Sequence, residues 1–253
     1  MSRIFNVKGV LTEDTKRAHV ESAMSRGLPV LEPTKFKHGT MYIACYGWSL
    51  ANTWLHLAGK HPLMTVSGAH DFLLDGMIYP DFHAECDPRP HKADLLNHPR
   101  DDVQYLLSSV CHPNMFDKLQ GKNVKVWHQA QDSATRAWVA ENAPDSPLIG
   151  GGSNVGMRAI ELAAALGYKK LVIHGMDCSF DGFKRHAGSH PNENERTFLV
   201  RIGGKEFWTS PQLYEAAREF IMLTTNHDIQ VTLHGDGLCA AMVREALKLR
   251  RAA

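Results

Sequence analysis

From residue 41 onward, short apolar runs alternate with stretches of helical periodicity, and this alternation predicts an α/β fold. Strands are expected at residues 41–45, 63–67, 81–86, 105–110, 124–128, 171–173 and 229–233. Helical stretches lie between and after them, at 50–58, 70–74, from Pro113 onward, and at 134–141, 211–225 and 238–249. The clearest follows Asn154. Val155, Ala159, Leu162 and Leu166 fall on one face, Arg158 and Glu161 mark the wetter side, and Gly167 stands where a helix C-terminus tolerates positive φ. Runs 197–202 and 205–209 flank Gly203-Gly204 and read as a β-hairpin. Strands separated by helices at this spacing imply a mainly parallel, Rossmann-like sheet with helices on both faces and a late β-hairpin insertion.

Residues 1–40 read as an N-terminal helical extension to a single domain at 41–253. Thr12 can cap a helix ending near Gly27 and Pro29, and no chemistry is assigned to this segment. At 253 residues, 43% hydrophobic and 22% charged, the chain has the composition of a globular α/β protein. A formal net charge of +1 gives no footprint for nucleic acid. No apolar run reaches the roughly 20 residues of a membrane span and no signal-peptide core opens the chain, so a cytoplasmic protein without a span is expected. Cys45, Cys86, Cys111, Cys178 and Cys239 are dispersed without a C-x-x-C pair, as suits reduced thiols.

Polar residues gather just beyond the predicted strand ends. In a parallel sheet those ends open on one edge, where ligands bind. The turn containing Gly151, Gly152, Ser153 and Asn154 offers backbone N–H groups at a helix N-terminus, a cradle for phosphate. It matches neither common fingerprint. Val155 stands where G-x-G-x-x-G needs its last glycine, and Met157 and Arg158 stand where a P-loop needs Lys and Ser/Thr. Gly47, Ser49, Ser67, Gly68 and Asp177, all at strand ends, complete the expected nucleotide-binding set. A flexible connection is the plainer reading of the glycines.

Glu85 and Asp87 are two residues apart on one strand, so both carboxylates can face one site. With Asp71 and Asp177 they form a pool suited to Mg²⁺ bridging phosphates, although Asp87-Pro88 also reads as a solvated turn. Arg89 would stabilise charge on a transferring group, with Asp87 beside it. His128 and His186 are candidate acids or bases, since imidazole titrates near working pH. A structural histidine is the plainer alternative for each.

Gly47-Trp48-Ser49-Leu50, Val66-Ser67-Gly68-Ala69, Glu85-Cys86-Asp87-Pro88, Gly152-Ser153-Asn154-Val155-Gly156, Gly175-Met176-Asp177 and His186-Ala187 occur in an order that resembles the MptE-like 6-hydroxymethylpterin diphosphokinase family. Trp48 stands where that family often has proline. The resemblance implies a transferase with a nucleotide donor, first of all Mg²⁺-dependent transfer of diphosphate from ATP to a hydroxymethyl-pterin-like acceptor. The wider family is similar to motility accessory factor domains, which implies an alternative: glycosyl transfer from a CMP-activated nonulosonic acid to a glycan acceptor, with His128 or His186 as base and no metal. A non-catalytic nucleotide-binding module is the third reading. A homo-oligomer is compatible with each.

Overall fold

The computed structural model describes residues 11–182, 184–188, 196–226 and 229–252. Thr12 accepts a hydrogen bond from the Thr15 amide and so caps α1 (Glu13–Met24). Then come β1 (Lys37–Ala44), α2 (Leu50–Thr53) with a 3₁₀ continuation over Trp54–Leu57, β2 (Leu63–Val66), α3 (Ala69–Asp75) and β3 (Phe82–Glu85). A 3₁₀ stretch at Pro90–Leu95 leads to β4 (Gln104–Ser108), α4 (Pro113–Lys118), β5 (Val124–Gln129), α5 (Ser133–Asn142) and β6 (Leu148–Ile149). The chain continues through α6 (Val155–Ala165), β7 (Tyr168–His174), the hairpin β8 (Phe198–Ile202) and β9 (Lys205–Thr209), α7 (Pro211–Asn226), β10 (Gln230–His234) and α8 (Leu238–Ala252).

The main sheet has the order β10-β7-β1-β2-β3-β4-β5-β6 and all its pairings are parallel. Along β4, Leu106 joins one core while Tyr105 and Leu107 join the other, so both faces of the sheet are covered. The hairpin turn works as expected: Gly203 and Gly204 both take positive φ. Two elements differ from the sequence reading. β6 has only two residues, too few for a periodic signal, and β1 starts at Lys37 because Lys37 already pairs with Tyr168 of β7.

The described residues before β1 pack into the same core. Val30 bridges Val126 of β5, with Leu31 N–H donating to Val126 O (2.7 Å) and Val126 N–H to Pro29 O (2.9 Å). Val20, Ala23 and Leu31 are buried.

Strand order decides where a ligand can sit. The chain runs outward from β1 through β6, returns to β7 on the other side of β1, and continues outward to β10. The loops after β1 and β7 therefore diverge to opposite faces and leave a crevice between them.

Truncating Leu31 tests whether this early segment is part of the cooperative core. Leu31→Ala should cost about 2–5 kcal/mol, read from urea unfolding as a lower midpoint at unchanged slope. A loss below about 0.5 kcal/mol would mean the segment unfolds independently.

Candidate functional site

The crevice opens into a cleft of about 350 Å³ lined by the ends of β1, β2, β3, β5 and β7, by the start of α6 and by the first turn of α7. Its polar lining includes Ser67, Glu85, Asp87, Asn154, Arg158 and Asp177. Turns distant in sequence thus meet on one rim.

Asp177 is buried, and it ties two loops together. Gly47 N–H donates to Gly175 O (2.9 Å) and Ser49 N–H donates to Asp177 Oδ2 (2.8 Å), tying the loop after β1 to the loop after β7. A Cβ on Gly47 would lie 2.4 Å from Asp177 Oδ2, and one on Gly237 2.5 Å from Asp177 Cα. Only glycine fits at either place. Burial pushes the Asp177 carboxyl up from 3.8 to about 6, against the hydrogen bonds from Ser49.

Two neighbours carry positive φ without being glycine, Ser67 (51°) and Cys178 (53°), and both line the cleft. Such backbone persists where surrounding structure over-determines it, often at functional sites. The buried Ser67 Oγ finds no hydrogen-bond partner among the described residues.

Glu85 is buried, and its Oε1 accepts from the amides of Cys86 (2.8 Å) and Asp87 (3.1 Å). Burial raises its pKa despite the nearby Lys92 charge. Asp87 behaves oppositely. Burial alone would raise it, but Arg89 (Nε–Oδ1 2.8 Å) and Lys92 (Nζ–Oδ2 3.6 Å) hold it below the usual range.

At the head of α6, Asn154 Oδ1 caps the helix by accepting from Met157 N–H (3.0 Å). The preceding amide is not bare: Ser153 N–H donates to Glu219 Oε2 of α7 (2.8 Å). A Cβ on Gly152 would meet that same oxygen at 2.7 Å, and one on Gly151 would meet Arg158 Cγ at 2.7 Å. These glycines make room for side chains of the protein itself. Arg158, expected on the wetter face of its helix, instead lines the cleft, and its buried Nη1 finds no partner among the described residues.

His186 lines the cleft and stacks on Tyr46 (5.5 Å, 26°), with Nδ1 3.2 Å from Tyr46 O. Nδ1 therefore carries the hydrogen, and Nε2 keeps the lone pair. Burial, helped by the Arg185 charge, lowers its pKa to about 3. His128 lies elsewhere. It is wholly buried with Nδ1 3.1 Å from Ser109 Oγ, does not line the cleft, and is pushed by burial to about 4.

Asp71 and Gly68 also lie outside the cleft lining. Asp71 bonds His70 Nδ1 (2.9 Å) and the Asn97 amide (2.5 Å), bracing the chain after the Pro90–Leu95 stretch. Gly68 backs the Tyr46 ring, where a Cβ would intrude to 2.4 Å. Ser49, Gly151 and Gly152 act one layer behind the wall, although Ser153 and Asn154 line it. No three His, Cys, Asp or Glu side chains gather as a metal-holding group among the described residues. Asp71, Glu85, Asp87 and Asp177 thus do not form one ligand set, and the last three already hold amide or cationic partners.

Among the described lining residues, five Lys/Arg (Lys16, Arg89, Lys92, Arg158, Arg185) face four Asp/Glu (Glu85, Asp87, Asp132, Asp177), and burial pushes Glu85 toward the neutral form. The cleft therefore favours an anion. Lys16 comes from α1, where it bonds Asp132 (3.0 Å); nothing in the local sequence marks it for this place.

Residues 21–182 match the family described as 6-hydroxymethylpterin diphosphokinase MptE-like. No curated protein matches the chain. Among solved structures, the MAf glycosyltransferase from Magnetospirillum magneticum AMB-1 superposes with a TM-score of 0.67 at 13% identity. The match covers 97% of this chain and 43% of that one, so the chain spans less than half the length of that relative. At this identity the likeness is one of fold.

Asp177 gives a pH test. Its folded pKa exceeds the ordinary value, so the native state holds the proton more tightly. The associated stability is fully present below about pH 3.8 and is lost as pH rises through about 6. Asp177→Asn should remove that loss. The stability of the variant relative to wild type should rise between about pH 4 and pH 7 by on the order of 3 kcal/mol, read from urea unfolding across the window. A difference that stays flat over the window would refute burial as the cause.

Proposed function

The chain belongs to the 6-hydroxymethylpterin diphosphokinase MptE-like family, and from that premise and the cleft we propose a transferase that uses a nucleotide donor, a CMP-activated nonulosonic acid, with the sugar acid as the transferred group. The observation that carries this reading is the cleft's set of cations beside buried polar groups that find no partner among the described residues. Arg158 presents a buried N–H, and Ser67 a buried hydroxyl, that find no partner among the described residues, to whatever fills the space. Charge-assisted hydrogen bonds to phosphate are the natural completion of such groups.

In this reading the acceptor hydroxyl attacks the anomeric carbon while the bond from that carbon to the nucleotide phosphate oxygen breaks. The electron pair leaves with the phosphate, whose charge Arg158 and the Asn154–Gly156 amides offset. Asp177 accepts the hydroxyl proton. Its pKa of about 6 keeps it largely ionised near neutral pH yet more basic than an ordinary carboxylate. His186 also lines the wall, but burial lowers it to about 3, which makes it the weaker base. His128 has no route to the cleft and is not needed.

The family's description favours a second reading, Mg²⁺-dependent transfer of diphosphate from ATP to a hydroxymethyl-pterin-like acceptor. Mg²⁺ takes one or two carboxylates and fills the rest of its shell with phosphate oxygens and water. Here Glu85 holds the Cys86 and Asp87 amides through Oε1 alone, while Asp87 would have to give up its cations before serving the ion. A site for the ion would have to be completed by the donor's phosphate oxygens and water around one of these carboxylates.

The two readings separate by product: free CMP from a CMP-sugar acid under EDTA for the first, AMP from ATP abolished by EDTA for the second. Arg158→Met should weaken nucleotide binding about 10- to 100-fold by calorimetry, the value of a charged hydrogen bond. Asp177→Asn should lower kcat about 100-fold or more with KM little changed. Unaltered affinity in Arg158→Met would remove the phosphate from this end of the cleft.

A further inference from the structure

The contact between Ser153 and Glu219 is the least expected feature of the site. Ser153 lines the cleft, and its N–H, at the head of the 11-residue helix α6, points at a carboxylate oxygen 2.8 Å away that belongs to α7. A carboxylate on such an amide occupies the position that a phosphate oxygen takes at a helix N-terminus. A Cβ on Gly152 would meet both Met157 Cβ (2.8 Å) and the same Glu219 oxygen (2.7 Å), so the bare backbone leaves room for each. The backbone is shaped to let an anion approach, and the anion present is the protein's own.

The surroundings point to an external ligand as well. Ser67 is 7% exposed, lines the cleft and has an Oγ with no partner among the described residues. Arg158, one helical turn after Asn154, has its Nη1 in the same condition. The Ser153–Glu219 bond, by contrast, lies in an exposed position, so water and solutes can compete for it.

Resting on the reading of the cleft as a nucleotide site, we propose that the Ser153 amide is a phosphate-docking group and that Glu219 is its placeholder, displaced when the donor's phosphate arrives. Glu219 belongs to the helix whose first turn supplies Gln212 and Leu213 to the cleft wall. Occupancy of the phosphate position is thereby linked to the hold of α7 on α6. In the empty site the carboxylate satisfies the amide. In the filled site it is released to solvent, and like charge opposes its return.

The test compares wild type with Glu219→Gln and Glu219→Ala, using CMP and AMP as probes and cytidine and adenosine as controls without phosphate. Calorimetric titration should show at least one nucleotide bound roughly three- to tenfold more tightly by Glu219→Ala, the value of one hydrogen bond that no longer has to be displaced, and a smaller tightening by Glu219→Gln, whose neutral amide oxygen still accepts from Ser153 but more weakly than a carboxylate. Nucleoside affinity should stay the same. A purely structural cap predicts the opposite sign, since its loss loosens the wall and weakens every ligand alike. Unchanged or weaker nucleotide binding in both folded variants overturns the placeholder while leaving the nucleotide site intact. Equal tightening of nucleosides and nucleotides also overturns it, because the gain would then owe nothing to phosphate. If wild type and variants bind none of the four probes, the nucleotide reading and the placeholder fall together. Thermal unfolding of each variant confirms that the titrations are made on folded protein.

Discussion

The site depends on one contact between two loops that leave adjacent strands in opposite directions. Ser49 N–H on Asp177 Oδ2, with Gly47 N–H on Gly175 O beside it, closes the bottom of the crevice between β1 and β7. Neither bond would hold against a side chain at Gly47, where a Cβ would come within 2.3 Å of Gly175 O. Beneath this joint, His174 and His234 are register partners at the ends of β7 and β10 and stack at 4.5 Å with 6° between their planes. Burial, with some repulsion from its histidine neighbours, brings His174 to about 4, so that ring is uncharged at neutral pH. Burial is the largest influence on Asp177, and it holds that carboxyl above the ordinary carboxylate range.

Charge in the cleft is arranged in the same economical way. Asp87 is fixed by Arg89 and Lys92, Asp132 by Lys16, and Glu85 by the amides of its own turn. These pairs hold the side chains in place. Partly buried pairs of this type cost desolvation and return it only through good geometry, so they specify shape more than they stabilise the fold. The groups left over, Arg158 Nη1 and Ser67 Oγ, both seek an acceptor. An anion is the complement of that remainder.

Much of the fold was legible because parallel strands buried on both faces are continuous apolar runs, and helices between them show their period. The same logic located the strand ends, and with them Ser67, Glu85, Asp87 and Asp177 on the rim. It failed where a role depends on distant packing. Lys16 looks like any polar residue of an N-terminal helix, and only the approach of α1 to α5 puts it beside Asp132. Arg158 looks solvent-facing by helical period, yet the N-terminal turn of α6 abuts the cleft, so its first exposed face is the cleft wall. His128 and Asp71 lie at or near strand ends as the site residues do, but His128 ends β5 wholly buried and Asp71 spends both oxygens on its own surroundings. A position at a strand end says which edge a residue occupies, not whether its side chain reaches the opening.

The glycine-rich turn carries the same lesson further. A run of glycines before a helix invites the inference that a ligand's phosphate must approach the backbone closely. In this chain the close approach is real but its first occupants are internal: Arg158 against Gly151, and Glu219 with Met157 against Gly152. Packing and ligand approach make the same demand on sequence, namely no Cβ, and composition cannot distinguish them. What distinguishes them is the chemistry of the intruding group. Met157 is apolar and asks only for space, whereas the Glu219 carboxylate takes a hydrogen bond from the very amide that an incoming phosphate would use. A turn built to accept an anion from its own chain has already met the geometric requirement for accepting one from solution, and the remaining question is which anion binds it more tightly.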